Sequence, residues 1–320
     1  MLKVIKAKGV GLVSDLGRWG HQSQGVPVGG VLDPVALAVG NWALGNQDSA
    51  ACLELMGQFE LLCSEPCLVL MASAGAMFAV NRRAGFAGRV YHLTEGDVLN
   101  VQGCAHGLWN ILCVAGGVDV PLVLGSRSTC LPARFGGMEG RALLPGDVLP
   151  CGQSQGQSLH TRATLAMPGF YIQPRGPLPL PVLPGPEWEA LGGAVQQALL
   201  GLPYTVVADS GRMGYRLRAS GGALTPTSLS VRSHAVLPGL LQWTPQGQPI
   251  VLMCEAQVTG GYPRLGVVPS CALWKLAYRV PGQAVQFELV SLEQCLALQA
   301  AHERFLSQYR HAIEQHLDQR

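Results

Sequence analysis

Charge is scarce in this chain: Asp, Glu, Lys and Arg make up only 13% of its 320 residues. The 22 basic and 20 acidic side chains leave a formal charge of +2, too weak a field to gather nucleic acid or an anionic membrane, so neither partner is expected. Long apolar runs are missing as well. A membrane helix needs roughly 18 such residues in succession. Residues 108–125 come closest, and Gly116, Gly117, Asp119 and Pro121 interrupt them. The opening MLKVIKAKGVGLV holds no apolar core of signal-peptide length, which points to a soluble, cytoplasmic protein. Dense cysteine spacing is absent too: the 10 cysteines are spread from Cys52 to Cys295 and read as reduced thiols. Cys63-x3-Cys67 and Cys104-x-His106 come nearest to metal spacing, but neither has a second ligand pair, and no metal is expected.

What the chain has in quantity is glycine, 41 residues, and proline, 22, on a background that is 48% hydrophobic. Many short strands joined by turns have this composition. One turn recurs, as TEGDVL at 94–99, LPGDVL at 144–149 and, more weakly, VPGQAV at 280–285. Each launches a strand. With the Val- and Leu-rich runs at 67–71, 111–115 and 204–208, the reading is all-β, in barrel or sandwich layers.

Helices are few and well marked. Asp33-Pro34 supplies an N-cap and an N1 proline, 35–44 follows with an apolar face, and Gly45 stands at C′. A second helix is expected over 187–200, and Ser291-Leu292-Glu293-Gln294 is a capping box that opens a terminal helix. The length suits two domains, 1–150 and 186–320, joined by a Gln-, Ser-, Gly- and Pro-rich linker at 151–185. Its prolines equally permit an extended segment packed over the second domain.

Three stretches hold polar chemistry. In GLVSDLGRWGHQSQGVPVGGVLD, 11–33, Asp15 and Arg18 are close enough in sequence to pair, and the Gly-rich loop leading into Pro34 suits an anion on the helix N-terminus. It contains neither GxGxxG nor GxxxxGK[ST], so a self-contained nucleotide site gains little support. In ADSGRMGYRL, 208–217, Arg212 and Arg216 suit a carboxylate or phosphoryl group. Ser210 has no histidine nearby in sequence, and His21, His92, His106 and His234 are unassigned, which leaves Ser-His-Asp hydrolysis a guess. In LPGLLQWTPQGQPIVLMCEAQVTGGYP, 237–263, a buried strand at 249–253 delivers Thr259, Gly260, Gly261 and Tyr262 to one loop, with side-chain amides from Gln242 and Gln257. A tight hairpin is the alternative there.

In order along the chain, SDLGRWG at 14–20, GVPVGGVLD at 25–33, NWALGN at 41–46, CLEL at 52–55, VAGGVDVPLVLGSRST at 114–129, LPGP at 183–186, SGRMGYRL at 210–217, PGLLQWTPQGQPIVL and TGGYP form one pattern. It resembles the allophanate hydrolase subunit 2, or biotin-dependent carboxyltransferase-like, family, whose best understood members are C subunits of the bacterial ATP-dependent 5-oxoprolinase. The matched blocks span almost the whole chain.

The resemblance implies two cyclophilin-like β-barrel domains with a few short helices and a C-terminal helix. It also implies a hetero-oligomer with a B-subunit-like and an A-subunit-like protein, opening 5-oxoproline to L-glutamate at the expense of ATP. The ATP is bound within that complex, by this chain or by a partner, and the chain is expected to be inactive alone. Related domains serve carboxyl transfer from biotin within urea carboxylase, and one family member antagonises an inhibitor of a sporulation kinase. The alternatives are therefore a carboxyltransferase component and a regulator that captures a B-subunit-like partner. No biotin is expected on this chain, which has no Met-Lys-Met signature.

Lactam opening needs donors for developing oxyanions, a cation for the substrate carboxylate and a base. The candidate catalytic residues are Asp15, Glu54, Arg212 and Thr259, and the candidate substrate-binding residues are Arg18, Gln242, Gln257, Gly260, Gly261 and Tyr262. Glu255, Val258, Ala272 and Tyr278 depart from the Asp, Thr, Asp and Gln that the resemblance implies. The polar groups lost at Val258 and Ala272 suit a different acid, or a role in assembly alone.

Overall fold

The recurring turns are closed by the side chain that follows their glycine. Asp97 accepts hydrogen bonds from the Thr94 amide at 2.6 Å and its hydroxyl at 2.9 Å, Asp147 from the Leu144 amide at 2.8 Å, and Gln283 from the Val280 amide at 3.1 Å. Gly96, Gly146 and Gly282 have φ of 89°, 98° and 90°, a region open to glycine without a Cβ penalty. All three turns launch strands.

The computed structural model describes residues 1–105, 107–153, 176–221 and 229–318. His106 and residues 154–175 of the expected linker lie outside the described residues. The chain divides into two compact units.

The first unit takes Met1–Arg18, Gly29–Ile172 and Leu306–Arg320. Its strands are β1 (Leu2–Ser14), β2 (Cys52–Cys63), β3 (Cys67–Met71), β4 (Ala76–Val80), β5 (Arg83–Ala84), β6 (Val90–Leu93), β7 (Val98–Cys104), β8 (Trp109–Val114) and β9 (Val148–Leu149). They form a curled half-barrel sheet in the order β5-β4-β7-β2-β8-β3-β6, with β1 paired to β2 and β9. The register of β1 and β2 runs antiparallel from Leu2↔Cys63 to Ser14↔Cys52, so Ser14 and Glu54 end up side by side near its end. Leu53, Leu55, Phe59 and Leu61 of β2 are buried with Leu99, Val101, Leu112 and Val114 in one core. Helix α1 (Pro34–Ala43) is capped as its sequence suggests: the Asp33 carboxylate accepts from the Val35 and Ala36 amides, both at 3.0 Å. It packs on β3 and β8, so closely that a side chain on Gly40 would collide with Cys113.

The second unit takes Trp19–Val28 and Gln173–Phe305. Its strands are β10 (Leu178–Pro184), β11 (Tyr204–Val206), β12 (Gly214–Ala219), β13 (His234–Ala235), β14 (Leu240–Trp243), β15 (Pro249–Leu252), β16 (Thr259–Gly260), β17 (Arg264–Val267) and β18 (Ala284–Leu289). Seven close a barrel in the order β10-β17-β14-β15-β12-β11-β18, and β13 with β16 forms a separate ribbon. Leu180, Tyr204, Leu217, Leu241, Val251, Leu265 and Phe287 are buried.

The Pro-rich end of the expected linker is thus a barrel strand. Leu178, Leu180 and Val182 are buried, while Pro179 is exposed and Pro181 half-buried. Proline donates no ladder bond, and β17 pairs this strand only at Leu183 and Pro184. The helix expected over 187–200 is shorter, α2 (Gly193–Gly201), because Gly192 at φ 75° separates it from a 3-10 turn at Glu189–Leu191. After α3 (Ser270–Leu273), α4 (Leu292–Asp318) opens with the expected capping box. The Ser291 amide donates to Gln294 Oε1 at 2.8 Å, and the Gln294 amide donates back to Ser291 Oγ at 3.1 Å. The all-β class with a terminal helix stands. Among the described residues no helix is long and apolar enough to cross a membrane.

Candidate functional site

The expected site residues separate by unit: Asp15, Arg18 and Glu54 belong to the first, and Arg212, Gln242, Gln257, Thr259, Gly260, Gly261 and Tyr262 to the second. Each group has its own chemistry.

In the first unit Asp15 is saturated. Its carboxylate accepts from the Gly17 amide at 2.8 Å and from Ser126 Oγ, Ser128 Oγ and the Arg127 amide, each at 2.6 Å. A carboxylate offers about four acceptor positions, so these donors leave Asp15 little capacity to take a proton from substrate. It ties the 15–18 loop to the 126–128 segment. Arg18 joins the same tie through Ser128, whose carbonyl its Nη2 contacts, and its guanidinium lies 4.8 Å over the Phe135 ring. Asp15 and Arg18 are thus linked through Ser128, where the sequence had suggested a direct pair. Glu54 has no exposed surface and accepts from Ser14 Oγ at 2.6 Å and the Leu32 amide at 2.9 Å. The anion cradle expected at α1 is not realised, since Asp33 itself occupies the Val35 and Ala36 amides.

In the second unit Arg212 is engaged as well. Its Nε lies 2.8 Å from Glu255 Oε1 and both side chains are nearly buried, so its charge is met within the protein.

The open chemistry surrounds Gly260. This residue pairs with His234 across the β13–β16 ribbon, and Thr259 pairs with Ala235, so the segment is a strand on a distant partner and the tight-hairpin alternative does not describe it. A Cβ on Gly260 would stand 2.9 Å from Gln242 Nε2 and 3.6 Å from Gln257 Nε2, so glycine is what lets the two amides converge. A register shift between Leu241 and Gln242 in the β14–β17 pairing marks a bulge, the irregularity that re-aims a side chain. Gln242 is 1% exposed and its Nε2 has no hydrogen-bond partner. His234 Nδ1 lies 3.0 Å from the Arg232 carbonyl, which can only accept, so in the neutral ring Nδ1 carries the proton. Nε2 then holds the lone pair, buried without a partner. Directly paired residues present their side chains on one face, which puts the imidazole on the Gln242 side of the ribbon. An unpaired donor and an unpaired acceptor thus share one face, while Thr259 and Tyr262 are exposed at its margin.

Two features of the second unit escaped sequence reasoning. His234 was one of four unassigned histidines, and its pairing with Gly260 is set by chain more than twenty residues away. Arg279, after the 3-10 turn Trp274–Tyr278, is 3% exposed, its Nε and Nη2 have no hydrogen-bond partner, and burial pushes its pKa down. The only available signal was a lone arginine before a turn. The first unit also carries a polar groove of about 980 Å³ lined by Lys6, Gln58, Glu60, Asn100 and Gln102 among others; none of the expected site residues lines it.

Comparison with known proteins gives the family. Residues 24–289 match the family described as carboxyltransferase domain, subdomain A and B. The chain is 36% identical over 310 residues to the 5-oxoprolinase C subunit of Escherichia coli (strain K12), covering 96% of this chain and 97% of that protein. It is 32% identical to the Haemophilus influenzae 5-oxoprolinase C subunit, covering 98% and 99%. The fold is similar to the crystal structure of the K. lactis urea amidolyase, with a TM-score of 0.84 and 24% identity over 96% of this chain and only 20% of that one.

Proposed function

The chain belongs to the family of carboxyltransferase domains, subdomains A and B, and from that premise we propose that it is the C-type subunit of a 5-oxoprolinase-type, ATP-using cyclic amide hydrolase. The observation that carries this reading on the chain itself is the pair of buried, unpartnered nitrogens, Gln242 Nε2 and His234 Nε2, beside Gly260. Similarity to two 5-oxoprolinase C subunits over nearly the whole length supports it.

A lactam is resonance-stabilised and resists water at neutral pH. Transfer of the ATP γ-phosphoryl group to the amide oxygen makes that oxygen a leaving group. Water then adds to the activated carbon, the ring C–N bond breaks as the adduct collapses, and a second water hydrolyses the acyl phosphate to the free acid. In this reading the Gln242 and Gln257 amides donate to the substrate oxygen as charge develops, and His234 Nε2 takes a proton from attacking water. The substrate carboxylate needs a cation. Arg212 is met by Glu255 and Arg264 by Glu187, whereas Arg279 is buried with its Nε and Nη2 unpartnered, and we take it as the candidate. Asp15 and Glu54 hold the loops of the first unit. The chain works only with A- and B-type partners, which contribute what its sequence lacks for ATP.

The test is to purify the chain with whatever binds it from its native lysate and to assay glutamate formed from 5-oxoproline with and without ATP. ATP-dependent glutamate that disappears in Gln242→Leu and His234→Gln supports the proposal. A stable complex with no turnover after every partner is supplied overturns it in favour of an assembly role, for which the lost polar groups at Val258 and Ala272 are the motive. Carboxyl transfer to a substrate from a biotin-bearing partner would point to the third alternative.

A further inference from the structure

The polar groove of the first unit is assembled by strand register. Lys6 of β1 stands opposite Glu60 of β2, Glu60 opposite Asn100 of β7, and Asn100 opposite Ala79 of β4, so the four share one face of the sheet. Gln58 and Gln102, two residues from Glu60 and Asn100, belong to the same face. Phe59, Leu61, Leu99 and Val101 alternate with them and are buried in the core on the other side. The groove over this row measures about 980 Å³, at the upper end of the range for small-molecule sites.

Its charges are left open. Opposite charges directly across two strands attract, yet Lys6 and Glu60 form no ion pair, and among the described residues no protein group hydrogen-bonds to the side chains of Lys6, Gln58, Glu60, Asn100 or Gln102. A register shift between Val4 and Lys6 marks a bulge on β1, the irregularity that re-aims a side chain. Glu60 and Asn100 are half-buried, and the small Ala79 beside them leaves a hollow. Arg82 supplies a second cation to the groove. It stands at φ 66° after Asn81 at φ 49°, in the two-residue loop between β4 and β5 where glycine is favoured, so an arginine is kept there against backbone strain. Asn81 is engaged by Asp97 and the Val98 amide, which leaves Arg82 as the open group of that loop.

We propose that this groove binds a dicarboxylic α-amino acid. Neighbouring strands lie about 4.8 Å apart, so Glu60 and Lys6 can grip the ammonium and carboxylate groups on one α-carbon. Arg82 takes the distal carboxylate, and the Asn100, Gln58 and Gln102 amides meet the remaining donors and acceptors. The row crosses three strand gaps, about 14 Å, which the ligand and the two long basic side chains bridge together. Two cations and one anion in the groove answer two carboxylates and one ammonium in the ligand. A plain dicarboxylate leaves Glu60 without a cation, and a monocarboxylic amino acid leaves Arg82 without an anion. The glutamate of the proposed reaction belongs to this class, but the inference stands on the groove alone.

Calorimetric titration of the full chain with L-glutamate is expected to saturate with a Kd of about 1 mM or tighter. Glutarate, which lacks the ammonium group, and L-norvaline, which lacks the distal carboxylate, should each bind at least about tenfold more weakly. Glu60→Gln should weaken glutamate at least about tenfold while changing glutarate little, and Ala79→Leu, which fills the hollow, should abolish binding. Both substitutions face solvent, so thermal melts should match the parent. Gln242→Leu in the second unit should leave the titration unchanged. No saturation, equal affinity for glutarate, or glutamate binding that survives Glu60→Gln undiminished overturns the proposal, and binding lost in Gln242→Leu instead would place the ligand in the second unit and overturn it too.

Discussion

Glu255 and Arg212 sit 2.8 Å apart with only 5% and 6% of their side chains exposed, and the Glu255 amide also donates to the Arg212 carbonyl at 2.9 Å. Removing one partner strands the other charge in a poorly solvated place. Glu255→Ala should cost ~3–5 kcal/mol, seen as a lower urea midpoint at unchanged m. Gln242→Leu behaves differently, because the deleted Nε2 has no partner to lose. Stability should stay within about 1 kcal/mol or rise, while turnover of the assembled complex falls. The glycines of the TGGYP motif separate in the same way. A Cβ at Gly260 meets Gln242 Nε2 at 2.9 Å, whereas at Gly261 the nearest neighbour is Ser233 Oγ at 3.8 Å. Gly260→Ala should displace the amide and depress kcat, and Gly261→Ala should leave kcat near that of the parent.

Turns and caps carry measurable energy at the next scale. Arg141 grips Asp147 with Nη1 at 2.8 Å and Nη2 at 2.9 Å, and this hydrogen-bonded pairing holds the Asp147 carboxyl below its ordinary 3.8. With the folded value depressed, the stabilisation is complete above the unfolded value and is lost as pH falls through the folded one. Asp147→Asn cannot titrate, so its Tm should fall less steeply than that of the parent below about pH 4 in a series of thermal melts. At the start of α4 the Ser291–Gln294 box occupies two otherwise orphan groups. Ser291→Ala should cost ~1 kcal/mol by denaturant titration, with faster amide exchange confined to the first turn of that helix.

At the scale of the whole molecule the proposed function is a matter of association. The proposed reading expects the isolated chain to form no glutamate from 5-oxoproline, with or without ATP, and expects turnover to appear when A- and B-type partners are added back. Much of the architecture was legible beforehand because its causes are local. Asp33-Pro34 and Gly45 bracket α1, the Ser291–Gln294 spacing opens α4, and three copies of one turn announce the strands after them, all through contacts within a few residues. The family was legible for another reason, since its motifs are read directly as residues in order. The candidate site was only partly legible. Gln242, Gln257 and Gly260 were expected together, yet His234 and Arg279 were not, and Asp15 was expected to be catalytic. Donors from Ser126, Arg127 and Ser128, more than a hundred residues away, occupy Asp15 instead. By itself the sequence determined strand content, turn positions, helix caps and kinship, because propensity and capping act over one turn of chain. Which polar groups are saturated and which left open, at Asp15, Gln242 and His234, was decided only by tertiary structure, because strand register and bulges bring together residues that the chain keeps far apart.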